Sequence, residues 1–175
     1  MSEPDSQRLH AVVASLAGVI GHDQFPRGDL AELRRLRPEM PPAAYWRLLF
    51  DRVPEAWRKS DRMERAWALV MSGMAVMAPD CHSPKAPLGR VLARIGGGTA
   101  ESRLWTLLRS RDEQLEDHLR LVVRFLASKE ERVDWTGLAR LLFAADEASR
   151  DAVCRQLARG FYMTESPAQP EAAAE

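Results

Sequence analysis

Apolar side chains recur every three or four residues along almost the whole chain. Leu9, Val12, Val13, Leu16, Val19 and Ile20 form one such stripe, which predicts an amphipathic helix closed by Gly21. A short helix over about 29–36 follows, with Asp29 as its N-cap and Pro38 as its stop. Pro41 and Pro42 open the next, which carries Tyr45, Trp46, Leu48, Leu49 and Val53 and is punctuated by Pro54. Asp61, with Glu64 three residues on, reads as a capping box. The helix it starts runs to about Met77 and is apolar on every side, which marks it as the central buried helix. Residues 80–87 lack periodicity and form a loop, and a helix over 88–95 then ends at Gly96, Gly97 and Gly98. Further helices are predicted at about 100–109, 112–128, 135–145 and 147–162, with Thr99, Asp112, Asp134 and Asp146 where N-caps are wanted. No sustained strand alternation and no repeat interrupts this pattern.

The fold class is therefore all-α. Two arrangements fit: two small helical subdomains, 1–96 and 99–165, meeting near the glycines, or a single bundle, with residues 166–175 a mobile tail. At 175 residues, with 46% apolar and 29% charged side chains, the chain can bury a true core and falls outside the disordered and disulfide-scaffold classes. Residues 1–8 are too polar for a secretory leader, and no apolar run is long enough to span a bilayer. Cys81 and Cys154 lack CxxC spacing, so a reducing, cytoplasmic setting is expected.

Charge adds a second layer. The formal net charge is zero, yet residues 27–65 carry +3 and 82–111 carry +5, against −2 over 1–26 and −5 over 112–175. Lysine stands only at 59, 85 and 129, so the cations are overwhelmingly arginine. Arginine offers a rigid fork of donors for phosphate, although codon bias in a GC-rich genome yields the same composition. Arg34, Arg35 and Arg37 cluster at the end of one helix. Arg90 and Arg94, and again Arg120 and Arg124, stand four apart on one face, while Arg103, Arg109 and Arg111 flank the next junction. Such pairs suit a phosphate backbone, and equally suit ion pairs with neighbours, such as Glu116 with Arg120. No base-reading motif accompanies them.

Catalytic patterns are weaker. Cys81 and His82 adjoin, but neighbouring side chains point apart and no further pair completes a zinc set. Asp112, Glu113, Glu116 and Asp117 fall in the first turns of a helix, where they complement its dipole. Gly96, Gly97, Gly98 and Thr99 lack the lysine of a phosphate loop, so a helix C-cap and hinge is the better account. No cofactor and no metal site is expected.

One succession of segments is informative as a whole: GDLAELRRL (28–36), PPAAYWRLL (41–49), WALVMSGMAVMAP (67–79), PLGRVLARIG (87–96), ESRLWTLLRSR (101–111) and VDWTGLARLL (133–142). In this order they resemble the small-subunit (CasB) family of Cascade, the type I-E CRISPR surveillance complex. The resemblance implies an all-helical, non-catalytic subunit that packs beside a second copy of itself and against the large and backbone subunits. There it would brace the guide RNA–target DNA assembly and hold the displaced non-target strand. Carried over by motif, the strand contacts are Arg34 and Arg35, Arg90, Arg103, Arg109, Arg111 and Arg120, with Arg37 and Arg124 as additions. The acidic C-terminal third points Arg150, Arg155 and Arg159 instead toward pairing with Asp146, Glu147 and Asp151. The competing readings are a helical protein–protein adaptor that binds no nucleic acid, and a small enzyme using Cys81 and His82.

Overall fold

The computed structural model describes residues 3–165, and the expected mobile tail, 166–175, lies outside them. Nine α-helices account for most of the described chain: α1 (Glu3–Ile20), α2 (Arg27–Arg34), α3 (Ala43–Arg52), α4 (Asp61–Met77), α5 (Leu88–Ile95), α6 (Gly97–Arg109), α7 (Asp112–Ser128), α8 (Trp135–Phe143) and α9 (Glu147–Glu165). A 3₁₀ turn, Glu55–Trp57, links α3 to α4. Among the described residues there is no strand, only an isolated parallel bridge between His82 and Val133. The all-α expectation holds.

The centre of the molecule is α4. Every residue from 66 to 75 is buried, because the helix has no polar face to offer water. Helices α1, α2, α3, α7 and α8 pack around it. Large aromatic side chains fill the spaces and satisfy their polar ends locally. The Trp67 indole N–H donates to the Trp57 carbonyl at 2.8 Å, and the Tyr45 hydroxyl donates to the Glu64 carbonyl at 2.7 Å. Trp135 crosses α4 at Gly73: a Cβ there would stand 2.0 Å from the indole Cη2. On its other side the indole N–H donates to the Cys81 carbonyl at 3.0 Å.

The most extensive helix pair is α5 with α9. Gly89 lets them close, since a Cβ at that position would meet the Leu157 carbonyl oxygen at 2.1 Å. Between these two centres the 80–87 loop is stitched to the start of α8. Ser83 N–H donates to Val133 O at 3.2 Å, Asp134 N–H to Ala86 O at 2.7 Å, and Arg132 pairs with Asp80 at 2.6 Å. Helices from both sides of the glycine run thus share one apolar cluster.

Several boundaries differ from the sequence pattern. Helix α2 begins at Arg27 with Pro26 as its N-cap, so Asp29 sits inside its first turn. Ser60, not Asp61, caps α4, its hydroxyl accepting from Met63 N–H. The glycine run is divided: Gly96, at φ 71°, closes α5, while Gly97, at φ 78°, already opens α6, which displaces the predicted cap at Thr99. Asp112 starts α7 and Arg111 holds the cap position. Asp134 and Asp146 do cap as expected, accepting from Thr136 and Ser149 N–H.

Gly73→Ala and Gly89→Ala should each lower stability by about 2 kcal/mol or more, since a fixed ring edge or a backbone carbonyl occupies the space. Gly18→Ala, on α1 with nothing within 4 Å, should instead be neutral or stabilising by roughly 0.5 kcal/mol. Urea denaturation of the three variants checks this, and unchanged midpoints for Gly73→Ala and Gly89→Ala would contradict the packing described.

Candidate nucleic-acid interface

Helix α4 is flanked by α2 on one side and α7 on the other, and the gap between these flanks forms a groove of about 650 Å³. Its floor is Leu69, Ser72, Gly73 and Val76 of α4, continued by Leu119 and Val123 of α7. One wall carries Arg34, Arg35 and Arg37, from the end of α2 and the turn beyond it; the other carries Arg120 and Arg124. The spacing of four places Arg120 and Arg124 on one face of α7. Five of the nine arginines singled out by sequence therefore rim a single groove with an apolar floor.

These five are not equally committed. The side chains of Arg35, Arg37 and Arg124 are exposed and make no hydrogen bond or ion pair among the described residues. Arg34 donates from Nε to the Ala75 carbonyl at 2.8 Å. That carbonyl has no helical partner because Pro79, four residues on, lacks an N–H. Arg120 pairs with Asp117 at 3.6 Å, rather than with Glu116. Glu116 faces Arg65, whose Nε is 3.6 Å away. Burial raises the Glu116 carboxyl above its ordinary range, while the charges of Arg65 and Arg120 draw it back down.

The remaining four lie elsewhere. Arg103 stacks its guanidinium 4.9 Å from the centre of the Phe125 ring and lines a separate pocket of about 440 Å³ with Thr99, Ser102, Thr106 and His118. Arg109 stands 5.4 Å from the Trp105 ring. Arg111 is held from two sides, donating to the carbonyls of Leu108, Arg109 and Ser110 and pairing with Glu147 at 2.7 Å. The hydrogen bond to Glu147 is the main cause that raises its pKa. Arg90 is exposed on α5, beside Gly160 of α9, with no side-chain partner among the described residues.

Sequence reasoning missed a second use of arginine. Helix C-termini leave carbonyls without partners, and a guanidinium can satisfy several at once. Arg62 donates to the carbonyls of Leu142, Phe143 and Ala144 at the end of α8. Arg150, only 6% exposed, donates to those of Leu108 and Ser110 at the end of α6. Burial, with the nearby Arg111 charge, lowers the Arg150 pKa. Arg150 thus caps a helix instead of pairing with an acid, whereas Arg155 does pair with Asp151, at 3.9 Å. An arginine placed to reach back over a helix end was the available signal, but its target lies far along the chain.

The Cys81–His82 pair offers no assembled nucleophile. Cys81 is 1% exposed, and burial raises its thiol pKa to about 11. His82 directs Nδ1 to the Trp135 backbone N–H, which donates to it at 3.2 Å. Among the described residues no group of three His, Cys, Asp or Glu is placed to hold a metal ion. No helix there is long and apolar enough to cross a membrane.

The sequence model of the CRISPR-associated protein Cse2 family matches residues 29–162, the stretch that contains every residue lining the groove. The chain belongs to the Cse2 family. Solved structures agree with this. The crystal structure of CasB from Thermus thermophilus is 25% identical, with a TM-score of 0.66 over 93% of this chain and 99% of that one. A chain of the E. coli Cascade structure bound to a PAM-containing double-stranded DNA target is 25% identical, with a TM-score of 0.63 over 87% and 95%. M. ruber CasB is 26% identical, with a TM-score of 0.61 over 90% and 93%. The comparison with curated protein sequences finds no significant match. This Cse2-family chain thus shares its helical arrangement along nearly the full length of each of these relatives.

Two groups of arginines should separate in solution. Arg150→Ala removes a buried donor from the Leu108 and Ser110 carbonyls, which keep only the long contacts from Arg111 and Cys154, and should cost about 1–3 kcal/mol by urea denaturation, whereas Arg35→Ala and Arg124→Ala should each stay within about 0.5 kcal/mol of the parent. Equal losses at all three positions would contradict the division. Iodoacetamide at mildly alkaline pH should leave Cys81 unmodified in the folded protein and alkylate it after unfolding; rapid modification of the native thiol would show that it is accessible.

Proposed function

We propose that this Cse2-family protein is the small subunit of a Cascade complex. It acts without catalysis, bracing the guide RNA–target DNA assembly and stabilising the displaced non-target strand of the R-loop. The observation that carries this reading is the groove between α2, α4 and α7. Cationic side chains on both walls suit the phosphates of a strand, and the floor of Leu69, Val76, Leu119 and Val123 suits bases turned away from water. Family membership and the likeness to a chain of the DNA-bound E. coli complex support the same assignment.

The physics is that of local charge on a neutral body. Arg35, Arg37 and Arg124 neutralise phosphates and release counterions, so binding weakens steeply with salt. Formation of an R-loop is close to balanced, because the heteroduplex gained is about as stable as the duplex lost, and modest stabilisation of the displaced strand therefore shifts it. Sequence choice rests with guide pairing. Partners are the large and backbone subunits and a second copy of this chain, and exposed Met40 and Phe50 supply apolar surface for such contacts. Arg90, Arg103, Arg109 and Arg111 belong to the proposal as contacts outside the groove, with Arg111 the most encumbered of them.

Co-expression with the other Cascade subunits and a guide RNA tests assembly: the chain should co-purify, and its failure to do so would count against the assignment. In the assembled complex, the triple substitution of Arg35, Arg37 and Arg124 by Ala should shorten R-loop lifetime by about tenfold or more and lower its salt dependence by about 0.7 per lost phosphate contact. An unchanged lifetime across salt would favour a helical adaptor that makes only protein contacts.

A further inference from the structure

We propose that Arg65 is a further strand-binding residue, held in reserve by Glu39 and Glu116 where the arginine-rimmed groove runs into a second groove along α4. This rests on the reading of the first groove as a strand site. The second groove, of about 600 Å³, lies along the N-terminal half of α4 and is lined there by Arg62, Arg65, Ala66 and Leu69. Leu69 lines both grooves, so the two adjoin there, and positions 62 to 76 of α4 span about 21 Å of helix. Arg65 stands one turn before Leu69, at this junction.

The junction is tied across. Arg65 donates from Nη2 to Glu39 Oε1 at 3.2 Å, and its Nε lies 3.6 Å from Glu116 Oε1. Glu39 comes from the wall that carries Arg34, Arg35 and Arg37, and Glu116 from α7, which carries the opposite wall. One guanidinium thus serves two carboxylates. Glu39 is also the one acidic residue among the described residues that line the first groove. Its side chain is 62% exposed, against 16% for Glu116, so Glu39 is the partner that water can take over when it is released.

A strand advancing along the floor meets this contact. A phosphate that takes the place of Glu39 leaves Arg65 with as many anionic partners as before, so the native contact gains little from Arg65. The same exchange is a safeguard. An unassembled subunit with Arg65 occupied offers a shorter cationic track to stray nucleic acid, while a strand held in place by the rest of a complex can displace Glu39. Neutralising Glu39 should free Arg65 for phosphate and lengthen the track by one contact.

The test is a double-substitution cycle on the full chain, with a fluorescent oligothymidylate as the probe and binding followed by anisotropy at several low salt concentrations. Glu39→Gln should tighten binding by about three- to tenfold and steepen the slope of log K against log salt by about 0.7, one phosphate contact on a single strand. Both changes should vanish in Glu39→Gln combined with Arg65→Gln, and largely persist in Glu39→Gln combined with Arg65→Lys. An equal gain with and without Arg65 would reduce Glu39 to simple repulsion and overturn the proposal, as would no gain at all. The pair Arg35→Ala with Arg124→Ala separates the two levels. If that pair weakens binding while the cycle shows no coupling, the groove reading stands and the role of Arg65 falls. If that pair changes nothing, or if no variant binds, the groove reading fails and carries this inference with it.

Discussion

The structure depends on burying α4 along its whole middle. A helix that is apolar on every side must be covered on every side, and five helices do this. The cover closes because Gly73 leaves room for the Trp135 indole, whose N–H is in turn satisfied by the Cys81 carbonyl. That single crossing joins α4, α8 and the 80–87 loop. The groove follows from the same constraint. It is the part of the surface of α4 over which α2 and α7 do not meet, so its floor is mostly apolar, one wall is helix α7, and the other is the end of α2 with the turn that follows it. Arg120 and Arg124 are set by the packing of α7, and Arg35 and Arg37 by the turn that leaves α2, where Leu36 between them is buried.

Arginine serves two purposes in this frame, and they compete for the same side chains. Short helices end often, and each end leaves carbonyls that want donors. Arg62 and Arg150 are spent on such ends, Arg34 in part, and Arg111 is divided between such an end and Glu147. Arg35, Arg37 and Arg124 have no such engagement among the described residues, and, unlike the equally unengaged Arg90, they line the groove. A neutral chain can therefore present a cationic track, provided that its acids sit elsewhere. Those acids cluster at helix starts, as with Asp112 and Glu113 in the first turn of α7, where the dipole favours them.

Much of the fold was legible in sequence because helix periodicity is local. The predicted 88–95 and 112–128 helices coincide with α5 and α7. Starts were less legible. Pro26, Ser60 and Gly96 displaced Asp29, Asp61 and Thr99 as caps, since the identity of a cap depends on how the preceding turn enters the helix. The candidate site was legible only within one helix at a time. Spacing alone put Arg120 and Arg124 on one face. The same spacing paired Arg90 with Arg94, yet Arg94 is bound to Glu131 while Arg90 has no side-chain partner among the described residues. Which arginines share a groove is decided by contacts between helices distant in the chain, and α4 brings α2 and α7 to its two flanks. Nothing in a linear pattern places Arg35 opposite Arg124, or Arg65 between Glu39 and Glu116.

The most direct test of the central claim is a structure of the assembled complex with an open R-loop. The account predicts the displaced strand lying between α2 and α7, its phosphates within about 3 Å of the guanidinium groups of Arg35, Arg37 and Arg124. A strand running over a different face, with that groove filled by a neighbouring subunit, would contradict it.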